Sequence, residues 1–310
     1  MRTIRFKLPG AGVLLAVFCL ALPMPILMSA QEKASSAEST AAKQLHSLWK
    51  VEGKSNTVYL LGSVHILKAE NFPLAAPLET AYSNSPTVVF EVDPQKMEDP
   101  QLQMKMLAKG RLPEGETLKQ HLSSENYESF GKHVKEAGLP PQMFESMKPG
   151  LAAMILDMTQ LAKLGFDPNN GIDHYFFVKA RDEHKSIVGL ETVDFQIDLI
   201  TGFSKDEDDL VMKESLEGID QEKEKFGEII TAWQTGDSAA LQKLLNEMLE
   251  KSPTLYHRLL TDRNENWIPK IEEFLKGEKN VVVVVGAGHL VGKEGVVELL
   301  KKKGFKVTQM

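Results

Sequence analysis

The sequence predicts an α/β fold: a mixed, mainly parallel sheet formed by the N- and C-terminal parts of the chain, with a large helical insertion between them. Short apolar runs rich in β-branched residues occur near both ends of the chain, and helical periodicity fills the middle. No repeat period of 20–50 residues is evident in the sequence. Strands, then mostly helices, then strands indicate one discontinuous core rather than two sequential domains.

Six segments have the composition of strands. Residues 48–52 and 57–61 flank a turn that contains glycine and asparagine, which predicts a hairpin. The five consecutive valines at 281–285 are typical of a strand buried on both faces, as in a parallel sheet covered by helices. The other strands are expected at residues 87–92, 186–190 and 306–308.

Helical patterns account for most of the remaining chain. Residues 74–84 predict a helix that connects the second and third strands in a β-α-β arrangement. Residues 94–110 predict one continuous helix, and further helices follow up to residue 276, around the strand at 186–190. A last helix is expected at 295–303, where Gly304 would end it.

The first thirty residues have the layout of a secretory signal peptide. Three basic residues precede an uncharged apolar run at 11–22, and small residues end at Ala30. We therefore expect a signal peptide at 1–30, a flexible leader at 31–45 and one domain at 46–310, exported to the periplasm or out of the cell. The alternative is a retained anchor, but the run is short for a span of about 20 residues. No stable membrane span is expected after cleavage.

Composition limits the expected partners. The formal net charge is −7, and loss of the basic signal segment would make it more negative. An acidic surface does not favour nucleic acid or anionic lipid. The single cysteine, Cys19, lies within the expected signal peptide, so the mature chain is expected to have neither a disulfide nor thiol chemistry.

Two turns with the pattern Gly-x-x-His follow predicted strands. One ends at His65, after the second strand, and the other ends at His289, after the valine run. Glycine permits a sharp turn there, and open α/β sheets bind ligands beyond the carboxyl ends of their strands. If the two strands are neighbours, both imidazoles would meet over one site.

Two glutamates end apolar strands in the same way. Glu91 ends the third strand and Glu191 the fourth, where a buried carboxylate would be costly without a partner. Imidazole is the commonest neutral metal ligand, and two imidazoles with a carboxylate would form an open site for a first-row metal. Four predicted strands that each end in a histidine or a glutamate indicate a functional site more specifically than any one of these motifs does.

Other interpretations remain open for these residues. A single Gly-x-x-His turn is weak, and one histidine at a strand end is more often structural. A structural role predicts that His65 and His289 lie far apart, beyond about 8 Å between rings, since ligands of one metal lie near 2.0–2.1 Å from it. The turn at residues 286–288 resembles a phosphate loop, but it lacks the lysine of a P-loop. Neither a serine nucleophile elbow nor a His-Glu-x-x-His pair is present in the sequence.

The order and spacing of the motifs resemble the TraB/GumN family. Its relatives include the Tiki membrane metalloproteases and, more remotely, erythromycin-esterase-like and haem-binding ChaN-like proteins. The similarity extends over about residues 48–307. It is carried by segments 48–51, 62–65, 90–93, 171–176, 189–192, 232–237, 263–264 and 285–295.

The resemblance implies a metal-dependent hydrolytic centre with His65, His289 and Glu91 at the metal. It favours manganese or cobalt, with zinc as a third candidate. Arg263 matches an arginine of the family pattern and would hold a substrate carboxylate or an oxyanion through its fork of donors. Either Glu91 or Glu191 would be the general base, and the sequence leaves that choice open.

Two functions follow from this interpretation. The first is a metal-dependent hydrolase, peptidase-like, that acts on a peptide or small-molecule substrate. The alternative is a module that binds a peptide, a metal or haem without turnover, which is favoured if both glutamates point away from the histidines. Asn264, beside Arg263 on a predicted helix, is expected to face away from the site.

Overall fold

The structure, a computed structural model, describes residues 44–97, 99–219 and 222–310, with the backbone alone at 222–225, 245 and 248–251. The expected signal peptide lies outside the described residues, as do residues 31–43 of the expected leader. Among the helices that are described, none is both long enough and apolar enough to cross a membrane.

Strands from both ends of the described chain pair in one sheet, with the order β4-β3-β5-β2-β1-β6. The pairs β2–β5, β5–β3 and β3–β4 are parallel, whereas β1 is antiparallel to β2 and to β6. This is the predicted α/β class with a mainly parallel sheet. The strands are β1 (Leu48–Glu52), β2 (Thr57–Ser63), β3 (Thr87–Val92), β4 (Ser186–Glu191), β5 (Val281–Gly286) and β6 (Val307–Gln309).

Helices surround the sheet and supply most of the chain between β3 and β5. A π-helical turn at His257–Thr261 connects α12 to α13. The α-helices are α1 (Ala76–Ser83), α2 (Pro94–Met97), α3 (Pro100–Lys109), α4 (Leu118–His121), α5 (Ser124–Ala137), α6 (Pro149–Lys163), α7 (Ile172–Asp182), α8 (Val193–Thr201), α9 (Lys205–Ile219), α10 (Glu222–Thr235), α11 (Ser238–Lys251), α12 (Pro253–Tyr256), α13 (Asp262–Leu275) and α14 (Val296–Lys302).

The prediction of one helix over residues 94–110 is wrong, because two helices, α2 and α3, occupy that segment. Pro100 is the first residue of α3, and the side chain of Asp99 caps it by accepting a hydrogen bond from the Gln101 backbone. A proline disfavours helical geometry at the residue before it but suits the first turn of a new helix.

The valine strand β5 lies in the middle of the parallel part of the sheet, between β2 and β3. Its valines are at most 6% exposed, as expected for a strand covered on both faces. In the register of the parallel pairs, Gly62 lies opposite Val285, and Val92 lies opposite Glu191. The carboxyl ends of β2, β3, β4 and β5 therefore share one edge of the sheet.

Candidate active site

Four polar side chains lie at this carboxyl edge, one beyond or at the end of each parallel strand. In the order β4, β3, β5, β2 they are Glu191, Glu91, His289 and His65. Their side chains are at most 8% exposed. The structure thus brings together the four strand-end residues that the sequence singled out.

Glu91 lies between the two histidines. Its Oε1 atom is 3.8 Å from Nε2 of His65 and 3.8 Å from Nε2 of His289. The backbone N–H of Gly286 donates to the same oxygen at 2.8 Å. Both imidazoles therefore face one carboxylate oxygen. A purely structural role predicted that His65 and His289 lie far apart, and that prediction is wrong.

Arg263 reaches the same group from helix α13 and is 1% exposed. Its Nη2 donates to Oε2 of Glu91 at 2.5 Å and to Oε2 of Glu191 at 2.9 Å, while Nε donates to Oε1 of Glu191 at 2.8 Å. Trp267 and Gln196 also donate to Glu191, at 2.8 and 2.5 Å. Glu191 is therefore held by donors on both of its oxygens.

The tautomer of His289 follows from its neighbours. Nη1 of Arg263 can only donate, so Nε2 of His289, at 3.0 Å, is the acceptor. Nδ1 then carries the proton and donates to Oδ1 of Asn264 at 2.6 Å, while the Asn264 amide nitrogen donates to the Glu294 backbone carbonyl. The expectation that Asn264 faces away from the site is wrong, because its side chain bonds to His289. Adjacent residues of a helix point about 100° apart, an angle at which Arg263 and Asn264 can both contact the same imidazole.

His65 has a different partner, which the sequence interpretation missed. Its Nδ1 donates to Oδ1 of Asp173 at 2.8 Å, and the Ser63 hydroxyl donates to the same oxygen at 2.8 Å. Nε2 of His65 is buried and has no hydrogen-bond partner among the described residues. Asp173 lies in the segment Gly-Ile-Asp-His of the resemblance, but only the tertiary fold shows that this aspartate contacts His65.

The electrostatics distinguish the two histidines. Burial disfavours the charged form of His65, but Asp173 and Glu91 outweigh it and raise the pKa of His65 to about 9. Burial and the Arg263 charge together hold the pKa of His289 well below its usual 6.5. Burial opposes ionisation of Glu91 too, but Arg263 and both histidines lower the pKa of Glu91 to about 2.

A small cavity of about 30 Å³ adjoins this group. Its walls include His65, Glu91 and Asp173, together with Pro94 at the start of α2 and Gln196 on α8. A volume of this size holds about one water molecule. Glu191, His289 and Arg263 do not line it.

The donor set fits a divalent metal in chemistry. Nε2 of His65 has no hydrogen-bond partner among the described residues, and each imidazole donates its Nδ1–H to a side-chain oxygen, as metal-bound histidines commonly do. The spacing is wide, since donors about 2.0–2.2 Å from one ion lie roughly 3–3.5 Å apart. In the described part of the chain no group of three or more His, Cys, Asp or Glu is already close enough to hold an ion. Binding would thus require Oε1 of Glu91 and each Nε2 to approach each other by several tenths of an ångström, and Arg263 to release Nε2 of His289.

Fold and site define a class: an α/β protein with a histidine–glutamate–arginine centre buried at the carboxyl edge of its sheet. The model of the TraB/PrgY/gumN family matches residues 47–309, and the chain belongs to that family.

Among similar proteins are two bacterial chains, each named uncharacterized protein YbaP, from Escherichia coli (strain K12) and Shigella flexneri. Each is 25% identical, over 78% of this chain and 87% of the relative. A protein named metalloprotease TIKI1 from Xenopus tropicalis is 22% identical, over 96% of this chain and 68% of that protein. No solved structure matches significantly. The chain is thus distantly similar to a metalloprotease over most of its length.

Proposed function

We propose that the protein is a metal-dependent hydrolase, peptidase-like, whose centre is formed by His65, His289 and Glu91. The observation that carries the proposal is the shared approach of the two Nε2 atoms to Oε1 of Glu91, each at 3.8 Å. Both imidazoles are fixed through Nδ1, which leaves Nε2 as the ligand atom of the neutral ring. At His289 this atom accepts a hydrogen bond from Arg263, which an ion would replace. The distant similarity to a protein named as a metalloprotease supports the same reading.

The balance of buried charge supports a cation in this place. Two carboxylates, Glu91 and Glu191, bond to the guanidinium of Arg263, and a third, Asp173, bonds to His65; all four of these charged side chains are at most 9% exposed. Buried charges are stable only when they are compensated. In the metal-free protein, the raised pKa of His65 supplies a second positive charge. A metal ligand must be a neutral imidazole, so one arginine then leaves two negative charges, and a divalent ion would neutralise them. Nitrogen and oxygen donors suit manganese, cobalt or zinc, and the choice among them comes from the family resemblance.

The two glutamates differ in what they can do. Glu91 lines the cavity and faces both imidazoles, so it is the better ligand and proton acceptor. Glu191 holds Arg263 and Trp267 and does not line the cavity, so we assign it the anchoring of Arg263. When bound, a divalent ion would activate water by lowering its pKa. Arg263 adds a fixed positive charge beside the centre, which would stabilise an oxyanion.

The cavity also bears on the substrate. A space of about 30 Å³ admits a water or an ion but not an amino-acid residue. We therefore expect cavity walls such as Pro94 or Gln196 to move when a peptide bond approaches Glu91. If the protein instead binds without turnover, the small cavity favours an ion rather than haem as the ligand.

We further propose that the protein works after export, as the sequence of residues 1–30 predicts. Its substrate would be a peptide or a small molecule, and no nucleic acid would be involved.

Metal-dependent melting of the purified protein tests the centre. After removal of metals, the protein would be melted with manganese, cobalt, zinc or no metal. A ligand that binds only the folded state raises the melting temperature by mass action. We expect a rise that is lost in both His65→Ala and His289→Ala. No shift with any of the three metals would contradict the proposal.

A matched control separates this centre from adventitious binding. His121 has a carboxylate on each ring nitrogen, Asp208 at 3.0 Å and Glu116 at 2.7 Å, and contacts none of the residues of the proposed centre. His121→Ala should keep the metal shift. Cleavage of a peptide library, followed by mass spectrometry, then separates the two functions. A hydrolase loses cleavage in Glu91→Gln, whereas a binding module cleaves nothing even when metal binds.

A further inference from the structure

The turn that carries His65 is fixed to a distant segment of the chain by backbone contacts. The Ile172 N–H donates to the Val64 carbonyl at 3.0 Å, and Leu67 and Asp167 exchange backbone hydrogen bonds at 2.9 and 3.4 Å. A Cβ at Gly171 would lie 2.2 Å from the His65 carbonyl oxygen. Only glycine permits this approach, so the start of α7 is held directly against the His65 backbone.

This contact places one carboxylate behind the imidazole. Asp173 is in the first turn of α7, where the helix dipole stabilises a negative charge. Its Oδ1 accepts from both the Ser63 hydroxyl and Nδ1 of His65. Its Oδ2 is buried and has no partner among the described residues. Among the described side chains, Asp173 therefore accepts hydrogen bonds only from His65 and Ser63, both on Oδ1.

We propose that Asp173 is the positioning residue of the centre: it fixes His65 with the proton on Nδ1 and with Nε2 directed at Glu91. Asn264 performs the matching task for His289 with a neutral amide oxygen. A carboxylate partner makes an imidazole a stronger donor ligand than an amide partner does. The two histidines are thus unequal ligands, and His65 is the stronger one. This ranking rests on the proposed function, whereas the tautomer does not.

The first test is the tautomer of His65 in the metal-free, full-length protein. Long-range proton–nitrogen NMR of the imidazoles distinguishes Nδ1–H from Nε2–H, and His65→Gln identifies the signal among eight histidines. Spectra would be recorded near pH 10, above the pKa of about 9 for His65 in the folded protein, so that the neutral ring is populated. We expect Nδ1–H in the parent and in Asp173→Asn, since an amide oxygen accepts as Asn264 does. Asp173→Leu, which removes the acceptor, should give Nε2–H or a mixture.

The second test is manganese affinity, measured by electron paramagnetic resonance of free Mn²⁺. Loss of an outer-shell partner typically lowers metal affinity about ten- to a hundredfold. We expect such a loss in Asp173→Leu, with partial rescue in Asp173→Asn. A suitable control is Asp157→Asn, since Asp157 is another buried aspartate bonded to a serine, Ser215, at 2.5 Å between α6 and α9. This control should leave both the affinity and the His65 signal unchanged.

The outcomes separate the two proposals. An unchanged His65 tautomer in folded Asp173→Leu overturns the positioning role, whatever the metal does. If Asp173→Leu does not fold, an Asp173→Asn protein with His65 as Nε2–H overturns it equally. A parent that binds no manganese, cobalt or zinc, yet loses the Nδ1–H tautomer in Asp173→Leu, overturns the proposed function and keeps the positioning role.

Discussion

Arg263 and Glu191 form a two-pronged ion pair inside the protein. Nε donates to Oε1 at 2.8 Å and Nη2 to Oε2 at 2.9 Å, with side chains 1% and 7% exposed. The parallel geometry matches the fork of the guanidinium to the plane of the carboxylate. The same Nη2 also bonds to Glu91, so one arginine connects the ends of β3 and β4.

Removal of this arginine should destabilise the protein strongly. Arg263→Ala leaves Glu191 buried without a counter-ion and Glu91 with His65 alone, and breaking a buried pair from one side costs about 3–5 kcal/mol. Arg263→Lys keeps the charge but loses the fork and should cost less. Urea unfolding of metal-free protein measures both. The control is Arg258→Ala. Arg258 lies in the turn before α13 and is partly exposed, so its removal should cost under about 1 kcal/mol. Equal losses in Arg258→Ala and Arg263→Ala would contradict this prediction.

Two buried tryptophans allow a matched comparison of hydrogen bonds. The indole of Trp267 donates to the Glu191 carboxylate at 2.8 Å, and that of Trp233 donates to the Gly62 backbone carbonyl at 2.7 Å. Bonds to charged groups contribute about 1.5–3 kcal/mol and neutral ones about 0.5–1.5. Trp267→Phe should therefore lower the free energy of unfolding about 1 kcal/mol more than Trp233→Phe. A larger loss in Trp233→Phe would show that ring packing dominates.

The sequence was sufficient for the strands and for the ends of the parallel ones, because both signals are local. A β-branched run followed by glycine and a polar residue identifies His65 and His289 without knowledge of the fold. The order of strands is not local: β5, about two hundred residues after β2, inserts between β2 and β3. Nor are the partners of the imidazoles. Asp173 and Asn264 come from helices whose orientation depends on packing, and the helical pattern alone directed Asn264 the wrong way.

A methyl group at Gly171 should separate α7 from the His65 turn. Its Cβ would lie 2.2 Å from a backbone oxygen, which cannot rotate away, and overpacking of this kind costs about 1–3 kcal/mol. Gly171→Ala should be destabilised and should also weaken manganese binding. Gly131→Ala is the control, since its Cβ on α5 meets nothing within 4 Å and alanine stabilises a helix by about 0.5–1 kcal/mol. Destabilisation by both would point to a general intolerance of substitution instead.

The stability of metal-free protein should be highest near pH 6.5, with a different group responsible on each side. The folded pKa of His65 is about 9 against 6.5 unfolded, so its contribution is full below pH 6.5 and is lost as pH rises through 9. The folded pKa of His289 lies well below 6.5, so protonation of the unfolded chain removes stability as pH falls below 6.5. Glu91, with a folded pKa of about 2, adds a further loss as pH falls below about 4.5.

Urea unfolding across this pH range, with the parent and His65→Gln, measures the His65 contribution. A rise in pKa from 6.5 to about 9 corresponds to about 3 kcal/mol between pH 6.5 and 9. The parent should lose stability of that order as pH rises over this interval, and His65→Gln should lose far less. Parallel curves for the two proteins would mean that Asp173 and Glu91 do not hold a proton on His65. The basic limb would then have to arise from groups outside the centre.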